Sequence, residues 1–159
     1  MNKSLEKTSN SISLGVIGGS GAYDLLTDGV LGEKVDTVTL ETPFGKSAPI
    51  HHFRAGNLQY LFLSRHGEKD YSITAPFVNY LANIYALKEC GVERIISWSG
   101  PGIINTSFKP GEYALPNDIL DETKNRETTF FKNRGIGFIR QNQPFCPQIQ
   151  QAVHDSMHS

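Results

Sequence analysis

The sequence predicts an α/β fold with a mixed central sheet flanked by helices, and three observations carry that prediction. A short apolar run, Leu14-Gly15-Val16-Ile17, ends in Gly18-Gly19-Ser20-Gly21, as a buried strand does when it feeds a tight turn. Residues 48–54 and 58–64 flank Ala55-Gly56-Asn57, a strong hairpin signal. A helical segment at 77–90 is followed at once by the strand-like run 92–98. Strand, hairpin, helix and strand in that order indicate an α/β chain whose sheet is mixed.

The elements follow along the chain. Residues 1–12 are rich in Ser, Lys and Asn and lack an apolar stretch, so they read as a flexible tail and not as a secretion signal. Residues 13–159 read as part of one domain, a length that suits a single core. After the glycine turn, Ala22-Tyr23-Asp24-Leu25-Leu26 offers one or two helical turns before Asp28-Gly29 stops them. Residues 35–40 carry the β-branched pattern of a strand, and Pro43-Phe44-Gly45 makes a turn. Pro76 opens the predicted helix at its first turn, and Gly91 lies just past its end. Residues 92–98 run into a second glycine-rich turn, Ser99-Gly100-Pro101-Gly102. Beyond it, residues 112–115 and 119–120 look strand-like, and Pro147 starts a final helix over 148–156.

Bulk properties exclude several functions. A net charge of −1 argues against nucleic acid or an acidic membrane as main partner, since both reward a concentrated basic surface. No apolar run reaches the ~20 residues that cross a bilayer. Cys90 and Cys146 are far apart with no Cys-x-x-Cys pair, which fits a reduced, cytoplasmic compartment. The histidines His51, His52, His66, His154 and His158 show no metal-ligand spacing with Cys, Asp or Glu, so no metal is expected.

The chemistry offered is anion binding. The turn Gly18–Gly21 lets backbone approach a ligand closely, places N–H groups at a helix start, and adds the Ser20 hydroxyl. The same turn can equally be a βα connection without a ligand. Arg65-His66-Gly67 follows the strand 58–64; Arg presents a planar fork matched to phosphate oxygens, and His can donate or exchange a proton. A surface Arg and a capping His are the plainer alternative. Ser99, with Gly100, follows a third strand, and Thr42 in Glu41-Thr42-Pro43 is better read as an ordinary turn residue. Ser20, Arg65-His66 and Ser99 would converge if their strands are neighbours, because open α/β sheets collect ligands at strand C-termini. A Walker A loop is excluded by the absence of Gly-Lys-Ser/Thr. A dinucleotide fold fits poorly, because the first helix is too short for a full crossover and Gly29 interrupts it.

An ordered set of segments carries a resemblance. Residues 15–21, Glu41-Thr42-Pro43-Phe44-Gly45, Arg65-His66-Gly67, Val78-Asn79-Tyr80, Ala82-Asn83-Ile84, Pro110-Gly111-Glu112 and Pro144-Phe145-Cys146-Pro147 resemble the methylthioadenosine phosphorylase branch of the purine-nucleoside phosphorylases, from about Leu14 onward. The resemblance implies a nucleoside phosphorylase-like fold, here truncated, and a pentosyltransferase. Such an enzyme uses inorganic phosphate to cleave a purine nucleoside into a free purine and a ribose 1-phosphate, with phosphate as co-substrate and no metal or organic cofactor. It places Ser20, Arg65, His66, Ser99 and the Gly100 backbone on the family's phosphate positions. It implies a cytoplasmic homotrimer with active sites at subunit contacts, where Phe138 stands in place of a His that a neighbouring subunit lends to the 5′-substituent pocket. The catalytic, base-reading residues are expected in a C-terminal part beyond Ser159. The 159-residue chain alone is therefore expected not to turn nucleosides over. It would be a fragment, a truncated reading frame, or half of an enzyme completed by a complementary C-terminal chain. A non-catalytic binding or assembly module of the same fold is the alternative. The stretch Glu68-Lys69-Asp70-Tyr71 departs from the family's basic, His-containing one and brings acidic groups toward the proposed anion site. Glu122 stands in place of an Arg in an Asp-Arg-Thr segment, and Ser99-Gly100-Pro101 in place of an Ala- or Val-Gly-Ser turn.

Overall fold

The structure, a computed structural model, describes residues 12–68, 72–132, 135, 137 and 142–157. The chain divides into two compact units, Met1–Gly100 and Pro101–Ser159.

The first unit holds the sheet. Its strands are β1 (Leu14–Gly18), β2 (Glu33–Val38), β3 (Glu41–Thr42), β4 (Gly45–Lys46), β5 (Ile50–Ala55), β6 (Leu58–Ser64) and β7 (Arg94–Trp98). Five of them form one mixed sheet in the order β2-β5-β6-β1-β7, and β3 pairs with β4 in a small separate hairpin. The pairs β2–β5 and β5–β6 are antiparallel, while β1 runs parallel to both β6 and β7. The expected hairpin is present, with Ala55 opposite Leu58 across Gly56-Asn57.

Strand alternation sorts the side chains onto two faces. On β6, Leu61 and Leu63 pack with Ile50, Ala86, Leu87 and Val92, whereas Tyr60 and Phe62 pack with Phe53 and Ala22. Helix α2 (Tyr80–Glu89) supplies the first cluster, and the single turn α1 (Ala22–Leu25) supplies Ala22 to the second. The aromatic cluster is ordered by geometry: Phe53 stacks on Tyr60 and meets Phe62 edge-on.

Pro76 does not open α2. It sits in a one-turn 3₁₀ segment, Ala75–Phe77, after which Val78 turns extended (ψ 127°) and breaks the helical path. The start is set by Asn79, whose side chain accepts a hydrogen bond from the Ala82 amide at 3.1 Å. The end follows the glycine signal. Gly91 has φ 93°, and the bonds Gly91 N–H to Lys88 O and Val92 N–H to Leu87 O close the helix with both carbonyl partners of a Schellman motif. Asn83 is buried within the apolar stripe of α2 because its Oδ1 accepts the Ala48 amide at 2.8 Å. The residue thereby satisfies a backbone group that α2 would otherwise cover.

In the second unit the one regular element among the described residues is α3 (Pro147–Met157), in place of the expected helix. Gln150 on α3 donates to the Pro116 carbonyl at 2.6 Å. Residues 112–115 and 119–120 are not strands. A strand persists only through ladder partners, and none of the described residues pairs with them, despite apolar side chains at Leu115, Ile119 and Leu120. Those side chains are exposed instead, Leu120 by 87%.

Candidate anion site

The parallel register brings three strand ends to one line. Gly18 of β1 lies opposite Ser64 of β6 and opposite Trp98 of β7. The next residues of each strand are therefore neighbours: Gly19-Ser20, Arg65-His66 and Ser99. Two backbone bonds extend the ladder past the strands and fix these turns, Gly19 N–H to Trp98 O at 2.7 Å and Arg65 N–H to Gly18 O at 3.1 Å. The convergence expected for Ser20, Arg65-His66 and Ser99 thus exists at the carboxyl edge of β6, β1 and β7, where open sheets hold ligands.

Glycine at position 19 answers to Ser99. A Cβ there would come within 2.7 Å of Ser99 Oγ and 3.0 Å of the Trp98 carbonyl oxygen, closer than side chains pack. The residue leaves the room in which the Ser99 hydroxyl sits. Gly67 closes the Arg65-His66 turn with φ 96°, and a Cβ on it would strike Ser72 Oγ. The turn is tied by Ser64 Oγ donating to Gly67 O at 2.6 Å, and Ser72 Oγ donates back to His66 O at 3.3 Å. At Gly100 an added Cβ would meet open space, so this chain places no steric demand on that position.

Arg65 is held from two sides. Its Nε donates to His66 Nε2 at 3.1 Å, and its Nη2 donates to Ser99 Oγ at 3.3 Å. Ser99 accepts that bond, so its own O–H proton is available to an anion. Arg65 is half-buried, His66 is buried and Ser99 is exposed, giving a cation whose stem is packed and whose head meets solvent. Ser20 is half-buried, and its hydroxyl engages no partner among the described residues.

The expected contribution of a helix start shrinks. Helix α1 is four residues long, too short to gather an appreciable axial dipole, and the Ala22 and Asp24 amides are already bonded to Gly19 O and Gly21 O. The hydroxyls and the Arg65 guanidinium are then the side-chain groups suited to an anion. Thr42, read as a turn residue, is elsewhere and behaves as one: its Oγ1 donates to Gly45 O at 2.6 Å and accepts the Phe44 amide at 3.1 Å.

The acid next to this motif is engaged elsewhere. Glu68 Oε1 lies against Nε2 of the buried His51, whose Nδ1 lies 2.8 Å from Thr37 Oγ1. His51 is on β5, opposite Phe62, which in turn lies opposite Val16. That puts His51 two strands across from β1 and two residues short of the turn. Lys69, Asp70, Tyr71 and Phe138 lie outside the described residues. His66, Glu68 and His51 were all visible as polar residues in the sequence, but the His51–Glu68 pairing was not. A histidine alternating with Phe53 on a strand gives no local sign of its partner.

Comparison with known proteins gives the frame for this geometry. Residues 13–159 match the model of the phosphorylase superfamily. The chain is 34% identical over 144 residues to an S-methyl-5′-thioadenosine phosphorylase of Thermococcus kodakarensis, covering 90% of this chain and 53% of that protein. It is 37% identical over 140 residues to the enzyme of that name from Saccharolobus solfataricus, covering 87% of this chain and 50% of the other. A probable 6-oxopurine nucleoside phosphorylase of T. kodakarensis is 35% identical over 149 residues, with 88% and 53% covered. In structure, the chain superposes on methylthioadenosine phosphorylase from Schistosoma mansoni in complex with adenine with a TM-score of 0.82 at 29% identity, covering 92% of this chain and 53% of that one. The chain spans about half the length of the relatives it matches. With a family match across residues 13–159 and a close superposition on a solved relative, this chain belongs to the phosphorylase superfamily.

Proposed function

We propose that this chain supplies the phosphate site of a purine-nucleoside phosphorylase. The reaction is phosphorolysis of 5′-methylthioadenosine or a related purine nucleoside to the free purine and a (methylthio)ribose 1-phosphate. One observation supports the reading: the turns carrying Ser20, Arg65 and Ser99 follow three adjacent strands, with Arg65 bonded to Ser99. The site offers a planar cation and two hydroxyl donors, which together suit a tetrahedral oxyanion. Holding phosphate beneath the anomeric carbon turns a bimolecular attack into a positioned one, and its charge complements the cationic sugar that develops as the base departs. Inorganic phosphate is a co-substrate in this reading, and no metal or organic cofactor takes part.

The groups that read the purine and assist its departure belong, in this proposal, to the half of the relatives' length that this chain does not span. The complete site would be assembled in the cytoplasm, as a trimer or with a complementary chain, and Phe138 would line a neighbouring subunit's 5′-substituent pocket. The relatives named for methylthioadenosine and for 6-oxopurine nucleosides both support a purine substrate.

Calorimetric titration of the chain with inorganic phosphate tests the site directly. Binding is expected, and Arg65→Ala should weaken it on the order of 100-fold through loss of charge-assisted hydrogen bonds worth roughly 1.5–3 kcal/mol each. Equal affinity in wild type and Arg65→Ala would refute the assignment. Release of free purine from 5′-methylthioadenosine, measured with and without phosphate in a preparation containing the complementing half, tests the reaction.

A further inference from the structure

Strand β6 ends on a polar residue that its apolar run does not call for. Leu61, Phe62 and Leu63 fill the core, and Ser64 follows them into it at 2% exposure. A buried hydroxyl costs free energy unless it is bonded, and Ser64 Oγ donates to the Gly67 carbonyl, three residues on, at 2.6 Å. Ser64 and Gly67 are the two ends of the turn whose central positions are Arg65 and His66. The backbone also closes this turn, from Gly67 N–H to Ser64 O, but at 3.4 Å, past the ordinary range of about 2.7–3.2 Å for such bonds. The hydroxyl bond is therefore the shorter and firmer closure. It acts on a residue with φ 96°, so the chain reverses sharply at the tie.

We propose that Ser64 is a positioning residue of the anion site: its hydroxyl closes the turn from inside the core, and that closure fixes the direction in which Arg65 leaves the sheet. The inference rests on the proposed function for the identity of the anion, and on the turn geometry alone for the tie. Ser64 stands opposite Gly18 of β1, and the next amide, Arg65 N–H, donates to Gly18 O at 3.1 Å. The backbone of Arg65 is thus anchored before it by the ladder and after it by the Ser64–Gly67 bond. With both sides held, its Cα–Cβ bond points one way, and the guanidinium reaches across β1 to Ser99 Oγ at 3.3 Å. Opening the turn would swing that bond away, and the arginine would have to be ordered again when an anion binds, which lowers affinity. Ser64 lies beneath the turn, so it acts through Arg65 and does not touch the anion.

The test sets Ser64→Ala against Tyr60→Phe. Tyr60 lies toward the other end of β6, is also buried, and donates its hydroxyl to a carbonyl, Leu31 O, at 2.7 Å. Each variant gives up one such bond, so urea unfolding should show comparable losses of stability. Calorimetry of the full chain with inorganic phosphate should separate them: Ser64→Ala should weaken binding about three- to tenfold, and Tyr60→Phe less than about twofold. Ser64→Cys, close in shape but a weak donor, should behave as Ser64→Ala does. Ser64→Thr keeps a hydroxyl on a residue suited to a strand and should recover most of the affinity. A second measurement needs no ligand. Nitrogen-15 relaxation of the Arg65 Nε–H in the anion-free protein should report an ordered group in wild type and Tyr60→Phe and a mobile one in Ser64→Ala. Wild-type phosphate affinity in Ser64→Ala, equal losses of affinity in Ser64→Ala and Tyr60→Phe, or an Arg65 Nε–H as ordered in Ser64→Ala as in wild type would overturn the proposal. Wild-type protein that binds no phosphate would instead overturn the proposed function, while the relaxation data would still decide whether Ser64 holds Arg65.

Discussion

Gly19→Ala is the substitution that most directly interrogates the site, because its cost can be worked from contacts of one atom. The added methyl would lie 2.7 Å from Ser99 Oγ, 2.9 Å from Ser99 Cβ and 3.0 Å from the Trp98 carbonyl oxygen. The serine can swing aside, but the carbonyl cannot move freely, since it accepts the Gly19 amide at 2.7 Å. Overpacking of this kind costs about 1–3 kcal/mol of stability. The displaced hydroxyl would also abandon Arg65 Nη2, now 3.3 Å away, a hydrogen bond to a charged group worth roughly 1.5–3 kcal/mol. Phosphate affinity should then fall about tenfold or more. Urea unfolding reads the first quantity and calorimetric phosphate titration the second. Gly102→Ala is the control, since a Cβ there meets nothing within 4 Å. A Gly19→Ala protein with wild-type midpoint and wild-type phosphate affinity would refute the claim that this glycine makes room for Ser99.

Two further outcomes are expected. Tyr60→Phe removes the hydroxyl that donates to Leu31 O at 2.7 Å, leaving that carbonyl short of a partner at a cost of about 1 kcal/mol by urea unfolding. Burial raises the Tyr60 pKa, so the neutral phenol is the form the fold favours. Its contribution is whole below the ordinary tyrosine value of about 10 and is lost as pH climbs through the raised one, so the stability gap between wild type and Tyr60→Phe should narrow at alkaline pH. Glu68→Gln, in turn, should alter phosphate affinity by less than about twofold at physiological salt, since its carboxylate is turned onto His51; a severalfold tightening would show that Glu68 faces the anion.

The sheet was legible in the sequence wherever its signals were local. The apolar run before Gly18, the two-residue turn at Gly56-Asn57 and the glycine beyond α2 each act within a few residues, and the strands and helix end fall where those signals put them. The start of α2 was misread for the same reason. Pro76 is a good first-turn residue, but Val78 goes extended and Asn79 supplies the cap three positions later. The strand-like stretches at 112–115 and 119–120 failed differently, because β-propensity records fitness for a pleated surface and cannot create a partner. At the site, residue types were legible and their relations were not. Arg65, His66, Ser20 and Ser99 stand out by chemistry and by following strands. That His66 turns its ring onto Arg65, or that Glu68 reaches back to His51, depends on loop closure through Ile73 and on strand order, neither of which has a local signature.

Under the proposed function, one arginine would serve a dianion on a chain with a net charge of −1, so placement of the donors would count for more than charge density. Every donor sits one or two residues beyond a strand, and the ladder itself runs on past the strand ends through Gly19–Trp98 and Gly18–Arg65 backbone bonds. The sheet thereby extends its rigidity into the first residue of each turn. Beyond that point side chains take over: Ser64 ties Gly67, Ile73 sets His66, and His66 and Ser99 hold Arg65 from opposite sides. A guanidinium fixed in this way loses little freedom on meeting an oxyanion, and ordering a free arginine side chain would cost about 2 kcal/mol. Under the proposed function, holding Arg65 in advance would add to affinity without the like-charge repulsion that a second cation would bring beside the first.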